Sequence, residues 1–399
     1  MAIAARERAI LVGVANRATP RPVADEHLDE LGRLADTAGA EVVARFVKER
    51  ATPDPATFVG KGSVEEIGSA AQKHKARLVI FDDELAPAQV RNLERCWKEE
   101  VRVLDRPGLI LDVFASHARS REARTQVELA QLQYLLPRLA GRYEHLSRLG
   151  GGIGARGPGE QKLEVDRRKI RTRIARLRRD LDRIDTSRSV QRRGRRRTFQ
   201  VAIAGYTNAG KTTLFNRLTS EEAYVADRLF ATLDARVARA RSPELPGTVI
   251  IDTVGFVRKL PTTLVASFRS TLAEIREADL VLHLLDLSSP QVEEERNVAL
   301  EVLQELGVDS RRILPVWNKA DLAPRAIPFG GIAISARTGE GIRELEREIS
   351  ARRSRSDAHA YGQFAPPLTF GIEDRRAEKT RGGTVKLPPV PELPRRRSS

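Results

Sequence analysis

Apolar residues in the first quarter of the chain occur in short runs that are separated by stretches with helical spacing. Each run is long enough for one strand, and the four runs are Ala9–Val14, Glu41–Val47, Leu78–Phe81 and Val101–Leu104. Between them, apolar side chains recur at intervals of three and four residues, as at Leu28, Leu31, Leu34 and Ala35. Strands that alternate with helices predict a small α/β domain with a parallel sheet over residues 1–110.

Two polar segments of this first domain have more than one interpretation. The segment Gly60–Gly62 precedes a helix that we expect Ser63 to cap, and it lacks the full spacing of a phosphate-binding loop. A turn into a helix is therefore favoured over a second nucleotide site. The segment Asp82–Glu84 follows the third strand, where a solvated acidic turn is favoured over a metal site.

Long helical periodicity replaces this pattern in the middle of the chain, over residues 111–197. One helix is predicted around Val127–Leu139, and a second over Leu163–Asp185. The segment between them, Leu149–Glu160, contains too many glycines for a helix or a strand, which favours a loop whose backbone approaches another molecule closely. We predict a two-helix linker, a helical hairpin with a glycine-rich loop.

The positive charge of the chain is concentrated in this linker. The formal net charge is +15, and the stretch from Asp166 to Arg197 holds fifteen Arg or Lys against four Asp, which leaves +11 there. A solvated helix face is the alternative, but the dominance of one sign favours binding to phosphate backbones. The candidate RNA or ribosome contacts are Arg156, Arg167, Arg168, Arg171 and Arg178.

The most specific chemistry follows the apolar run Val201–Ala204. Between a predicted strand and a predicted helix, the chain matches the phosphate-loop pattern G-x-x-x-x-G-K-[ST]. Glycines let backbone N–H groups surround the phosphates at the positive end of the helix, while Lys211 reaches the β- and γ-phosphates and Thr212 binds Mg²⁺. Nucleotide contacts are expected from Gly205, Tyr206, Thr207, Asn208, Ala209, Gly210, Lys211, Thr212 and Thr213.

Two later segments match the parts of a GTPase that sense the γ-phosphate. Thr232 lies in a polar connection, where its hydroxyl or main chain can complete the Mg²⁺ shell. Asp252 ends a buried strand and can hold Mg²⁺ through water, and the N–H of Gly255 can reach the γ-phosphate. Lys211, Thr232 and Gly255 are the candidate catalytic residues. The nucleotide contacts expected here are Phe230, Ala231, Thr232, Leu233, Asp252, Thr253, Val254 and Gly255.

Residues near the end of this domain match a guanine site. The carboxylate of Asp321 can accept hydrogen bonds from the N1–H and the exocyclic amine of guanine, a pairing that adenine cannot make. Lys319 would pack along the base, and a backbone N–H in the segment after the next strand can bind the guanine O6. The residues expected at the base are Asn318, Lys319, Asp321, Ser335, Ala336 and Arg337.

In this order, the motifs predict a P-loop GTPase domain at residues 198–352, a doubly wound and mostly parallel α/β sheet with nucleotide at the carboxyl ends of its strands. Phe256 stands where many GTPases place a glutamine that orients the attacking water, so we expect slow intrinsic hydrolysis that a partner stimulates. Asn208 is a candidate K⁺ ligand, and a loop-shaping role is the equal alternative.

Several of these segments together resemble the HflX GTPases, over residues 8–350. They are Phe58–Gly62, Gln126–Leu132, Tyr134–Leu139, Gly151–Gly154, Arg156–Glu160 and Gly205–Lys211. The resemblance implies a GTP-hydrolysing protein that associates with the large (50S) ribosomal subunit and its rRNA, and splits or rescues 70S ribosomes under stress. One departure is Gly159–Glu164, which lacks the threonine usual in the family and adds Lys162.

Composition narrows the remaining choices. Cys96 is the only cysteine, which excludes intramolecular disulfides and favours the cytoplasm, and no apolar run is long enough to span a membrane. Residues 353–399 are basic and proline-rich and are predicted to be largely disordered. We expect GTP and GDP as ligands, Mg²⁺ as cofactor, no DNA partner and a monomer when free. The alternatives are a GTPase on another RNA or peripherally at an anionic membrane surface, and a nucleotide-dependent scaffold.

Overall fold

The computed structural model describes residues 6–139, 158–194, 198–221, 229–230, 233–259, 269–323, 327 and 330–362. Its first part is a parallel sheet of four strands in the order β2-β1-β3-β4, with helices in the connections. The elements are β1 (Glu7–Ala15), α1 (Arg21–Thr37), β2 (Ala40–Glu49), α2 (Lys61–His74), β3 (Leu78–Phe81), α3 (Pro87–Cys96) and β4 (Arg102–Asp105).

In the described part of the chain, three helices follow the first sheet. They are α4 (Arg106–His117), α5 (Arg121–Arg138) and α6 (Pro158–Gly194). The domain boundary that was predicted at residue 110 falls inside α4, whose buried Ile110 and Val113 belong to the same apolar core as Leu31 of α1. This helix packs against α1 and the first sheet, which cover its apolar face, and the same core continues to the second sheet at Ala202.

A small apolar seam joins α5 to α6. Leu129 of α5 lies against Ile174 and Leu177 of α6, and Glu128 binds the guanidinium of Arg173 at 2.7 Å and 2.8 Å. Helix α6 begins and ends beyond the predicted Leu163–Asp185. Apolar periodicity marks only the part of a helix that is packed against a neighbour, so both ends extend past the pattern.

The second sheet has six strands in the order β10-β9-β8-β5-β7-β6, and only the β6–β7 pair is antiparallel. All seven residues of its central strand, β5, are buried. The elements are β5 (Phe199–Gly205), α7 (Lys211–Leu218), β6 (Arg236–Arg239), β7 (Thr248–Asp252), α8 (Arg269–Glu277), β8 (Leu280–Asp286), α9 (Val292–Glu305), β9 (Ile313–Asn318), β10 (Ile332–Ala333) and α10 (Ile342–Gly362). The carboxyl ends of β5, β7 and β9 meet at one edge, where α/β sheets bind ligands.

Several details differ from the sequence-based expectations. Ser63 lies inside α2, which begins at Lys61 after Gly60, and Gly60 takes a φ of 80° that favours glycine. Asp82 is 3% exposed rather than part of a solvated turn, because cationic side chains from distant segments surround it. Helix α10 extends to Gly362, past the end expected near residue 353; the rest of the predicted disordered tail lies outside the described residues.

Among the residues that the structure describes, no helix combines the length and the apolar character needed to cross a bilayer.

Buried His283 makes the second sheet sensitive to acid. Its side chain is 1% exposed in β8, and burial, with a contribution from Arg296, lowers its pKa from 6.5 to about 4. The unfolded chain therefore takes up this proton first, and the native state loses stability as the pH falls from the unfolded to the folded pKa. We expect His283→Leu to reduce the loss of unfolding free energy between pH 7 and pH 5 by about 2 kcal/mol.

Urea unfolding at the two pH values measures this loss. The matched control is His74→Leu, at the partly exposed end of α2. An equal pH dependence in wild type and His283→Leu would show that this histidine is not the cause.

Candidate nucleotide-binding site

Two glycines of the phosphate loop lie where no other residue fits. Gly205, at the end of β5, has a φ of 153°, and a Cβ there would lie 2.2 Å from the carbonyl oxygen of Leu284. Gly210 precedes α7 with a φ of 93°, and a Cβ there would lie 2.3 Å from Nδ2 of Asn318. The phosphate loop can therefore lie close against the ends of β8 and β9, and the start of α7 can point towards a phosphate group.

Lys211 and Thr212 occupy the first turn of α7. The ammonium group of Lys211 is buried and donates to the carbonyl oxygen of Tyr206 at 2.6 Å. Burial lowers the pKa of Lys211 to about 8, and the negative charge of Asp252 partly opposes this shift. Phosphate oxygens would favour the charged form of this lysine.

Two of the three sequence-predicted Mg²⁺ ligands lie side by side. Thr212 Oγ1 donates to Asp252 Oδ2 at 2.9 Å, although the two residues are forty positions apart. A hydroxyl and a carboxylate oxygen next to the phosphate loop are hard donors of the kind that Mg²⁺ prefers, so the residues present fit this ion. Thr232, the third predicted ligand, lies outside the described residues, as does Ala231.

The loop after β7 is closed onto the phosphate loop. The N–H of Thr207 donates to the carbonyl oxygen of Phe256 at 2.8 Å, and the N–H of Phe256 donates to Gly205 O at 3.0 Å. Gly255 is therefore pressed against the loop, and a Cβ at this glycine would lie 2.9 Å from Lys211 Nζ. Thr253 donates its hydroxyl to Ile203 O at 2.7 Å and fixes the start of this segment.

Asn318 ties the base-binding segments to the phosphate loop. Its amide donates to Ala209 O at 2.7 Å, and its Oδ1 accepts from the N–H of Ala336 at 2.9 Å. Lys319 pairs with Asp286 at 2.7 Å, which fixes the aliphatic part of its side chain beside the site. Asp321 is exposed, so its carboxylate is accessible to a base.

The other predicted nucleotide contacts differ in their exposure. Ser335 is fully buried and its hydroxyl accepts from the N–H of Thr338 at 3.1 Å, whereas Arg337 is exposed. Thr213 is half-buried in α7. The remaining described ones are buried, namely Phe230, Leu233 and Val254.

Some contacts at the site carry no sequence signal. Arg217 of α7 donates to the carbonyl oxygen of Ala336 at 3.1 Å and supports the base-binding segment. The hydroxyl of Tyr206 donates to Glu30 of α1, in the N-terminal domain, at 2.5 Å. Neither interaction could be found from spacing, because each joins segments more than a hundred residues apart.

The basic face of α6 is exposed. Arg168, Arg171 and Arg178 are exposed, and among the described residues none of the three is seen in an ion pair, whereas Arg167 is half-buried. At 100° per residue the three exposed arginines lie within about 80° of arc on one side of the helix. Arg156 lies outside the described residues.

The strand order, the phosphate loop and the two hydrogen bonds of the Asn318 side chain together define a P-loop GTPase. Comparison with known proteins agrees: models of a GTP-binding GTPase N-terminal region, a GTP-binding GTPase middle region and a 50S ribosome-binding GTPase match residues 25–115, 117–195 and 200–319. GTPase HflX of Caldanaerobacter subterraneus subsp. tengcongensis is 46% identical over 353 residues, 86% of this chain and 81% of that protein. GTPase HflX of Escherichia coli K12 is 43% identical over 82% of this chain and 79% of its own length. The chain belongs to the HflX family of GTPases.

Among solved structures, a GTP-binding protein from Sulfolobus solfataricus in complex with GDP has 24% identity and a TM-score of 0.43, over 88% of this chain and 99% of that one. The family assignment depends on the sequence relatives. It establishes that the chain binds GTP and hydrolyses it.

Selectivity for the base is expected to depend on Asp321. The carboxylate of Asp321 can only accept hydrogen bonds, and guanine offers it an amine, whereas xanthine presents a carbonyl in that place. Asp321→Asn should therefore weaken GTP binding by about tenfold or more and strengthen XTP binding. Competition of GTP, XTP and ATP against a fluorescent nucleotide measures both effects. Unchanged GTP affinity in Asp321→Asn would place the base elsewhere.

Proposed function

We propose that this chain acts on the large ribosomal subunit and separates 70S ribosomes in the cytoplasm under stress. The observation that supports this most strongly is the row of exposed arginines on α6, Arg168, Arg171 and Arg178, for which the described part of the chain shows no ion pair. Duplex rRNA presents a dense array of phosphates to such a face. A match to the model of a 50S ribosome-binding GTPase points to the same partner.

The chemistry proposed for this site is Mg²⁺-dependent hydrolysis of GTP to GDP and phosphate. Thr212 and Asp252 would hold the ion, which when bound neutralises charge that develops on the phosphate oxygens. Lys211 would bind the β- and γ-phosphates from its buried position, and the N–H of Gly255 would bind the γ-phosphate. Thr232 is proposed to complete this set from the segment before β6.

Hydrolysis by the free chain should be slow because Phe256 cannot orient water. Its side chain is 1% exposed in the apolar core, and its two main-chain groups are bonded to Gly205 and Thr207. No polar atom of this residue is therefore available to an attacking water. The ribosome is proposed to supply or position the missing group, as partners of other GTPases do.

Cosedimentation tests the ribosome proposal directly. The full chain is mixed with purified 50S and 70S particles, with GDP or a nonhydrolysable GTP analogue, over a series of salt concentrations. We expect binding to 50S in the GTP form, dissociation of 70S, and GTP hydrolysis that rises at least about tenfold on 50S. The triple change of Arg168, Arg171 and Arg178 to Glu should weaken binding and flatten its salt dependence by about one unit of slope per lost phosphate contact.

A second triple variant distinguishes the effect of this arginine face on binding from the effect of the net charge of the chain. Arg239, Arg241 and Arg343, which are exposed on the GTPase domain, are changed to Glu, so the net charge is the same in both variants. The arginine face would be only a generic polyanion contact if the two triple variants weakened ribosome binding equally. The same would follow if binding did not depend on the nucleotide and vanished at modest salt. The assignment as a GTPase would remain.

Potassium dependence is the second proposal for this site. Asn208 is exposed in the phosphate loop at a φ of 61°, where its amide oxygen can serve as one ligand of a monovalent cation near the phosphates. We expect K⁺ to raise the hydrolysis rate relative to Na⁺, and Asn208→Ala to remove the difference. Asn208→Gly is the control for strain, because glycine tolerates this backbone conformation and lacks the amide. If either variant keeps the K⁺ effect, Asn208 only shapes the loop.

A further inference from the structure

The carboxyl edge of the N-terminal sheet meets the GTPase domain at a buried cluster of charges. Arg106, at the start of α4, is 0% exposed and pairs with Glu30 of α1 and with Asp82 after β3, which are 2% and 3% exposed. Charges are costly to bury unless they are paired, so the positions of these side chains are closely determined. An edge where many α/β sheets bind a ligand here binds another part of the same chain.

Tyr206 connects this cluster to the phosphate loop. Its hydroxyl donates to Glu30 Oε2 at 2.5 Å and accepts from the N–H of Arg258 at 2.8 Å. Burial and the charge of Glu30 raise the pKa of Tyr206, so the phenol stays a donor. One side chain of the phosphate loop thus bridges the N-terminal domain and the segment that follows Gly255.

Residue 258 is held from both sides. Its N–H bonds to Tyr206, and its carbonyl oxygen accepts from Arg106 Nε at 3.2 Å. Its guanidinium pairs with Glu294 of α9 at 3.1 Å, and the next residue, Lys259, pairs with Asp82 at 2.6 Å. Glu30, Arg106, Tyr206 and Arg258 form what we term the interdomain clamp.

The N-terminal half also contacts the other segment of the site. Phe114 of α4 packs edge-on against Phe230, with ring centroids 4.5 Å apart. Ser120 donates through its N–H to Asp234 at 3.2 Å and also through its hydroxyl. Phe230 and Asp234, on either side of the candidate sensor Thr232, therefore contact the N-terminal half, as the loop of Gly255 does.

We propose that Glu30 and Arg106 are positioning residues which, through Tyr206 and the main chain of residue 258, hold Gly255 against Lys211 and so favour bound GDP over GTP. A γ-phosphate must lie between Lys211 and the N–H of Gly255, whereas in this conformation a Cβ at Gly255 would lie only 2.9 Å from Lys211 Nζ. Outward movement of Gly255 strains the bonds at residue 258. Coupling of this kind is reciprocal, so bound GTP loosens the hold of the N-terminal domain.

Relaxing the clamp in the full chain tests the proposal. Tyr206→Phe removes one hydroxyl and keeps the ring, and Glu30→Gln removes the charge while it keeps the shape. Each should raise the ratio of GTP affinity to GDP affinity by about tenfold, the effect of one hydrogen bond to a charged group. The double variant should change the ratio by less than the product of the two single changes, because both substitutions weaken the Tyr206–Glu30 bond, while Glu30→Gln also weakens the pair with Arg106.

Tyr134→Phe is the matched control. Its hydroxyl donates to Asp105 at 2.6 Å within the N-terminal half, so the variant also loses a phenol–carboxylate bond but leaves the GTPase domain untouched. It should lower the melting temperature to a similar extent and leave the nucleotide ratio within about twofold of wild type. An unchanged or decreased ratio in both Tyr206→Phe and Glu30→Gln would overturn the proposal, as would an equal increase in Tyr134→Phe.

Hydrogen exchange gives a readout that does not depend on affinity. In the wild type, the amide of residue 258 should exchange slowly with GDP and at least about tenfold faster with a nonhydrolysable GTP analogue. In Arg106→Lys, which keeps the charge but loses the bond from Nε to the carbonyl of residue 258, exchange should be fast with both nucleotides. Slow exchange with both nucleotides in the wild type would contradict a clamp that opens with GTP.

Discussion

The close approach of three backbone segments at the carboxyl edge of the second sheet is the constraint on which the rest of the structure depends. Gly205 lies against the carbonyl of Leu284, and Gly210 against the amide of Asn318. Because no Cβ intervenes, the phosphate loop, the end of β8 and the end of β9 share one small volume. Asn318 can then bond to Ala209 and Ala336 at once, so hydrogen bonds join the phosphate loop to the candidate base-binding segment.

Buried polar groups at this edge are satisfied in two different ways. Inside the GTPase domain, main-chain groups such as those of Phe256 pair with the phosphate loop. Towards the N-terminal domain, ionised side chains pair across the interface, and Arg106 between Glu30 and Asp82 is the central case. Such pairs add little net stability over an apolar interface of the same shape, but a partner that is misplaced leaves a buried charge uncompensated. They therefore restrict how the two domains can be arranged while the nucleotide site is in one state.

The basic helix and the nucleotide site have opposite relations to solvent. On α6 the apolar side chains form a narrow seam with α5, which leaves the arginines of the opposite side in water, where electrostatic attraction to a polyanion acts over distance and is screened by salt. At the phosphate loop, burial of Lys211 and Asp252 strengthens their electrostatic contacts and removes competing water. The proposed contact with a large partner and the reaction at a small ligand would thus take place in different dielectric environments within one chain.

The sequence by itself determined the class of fold and which segments are the candidates for binding phosphate, magnesium and base. Each is a local pattern, a glycine at a turn or an aspartate after an apolar run, whose chemistry depends on neighbours in the chain. Tertiary structure alone decided that Asp82, expected in solvent, is buried beside Arg106, that α4 packs with the N-terminal domain, and that the hydroxyl of Tyr206 binds Glu30. The physical reason is sequence separation: these contacts join residues 24 to 176 positions apart, and local periodicity carries no information about which buried donor will meet which acceptor.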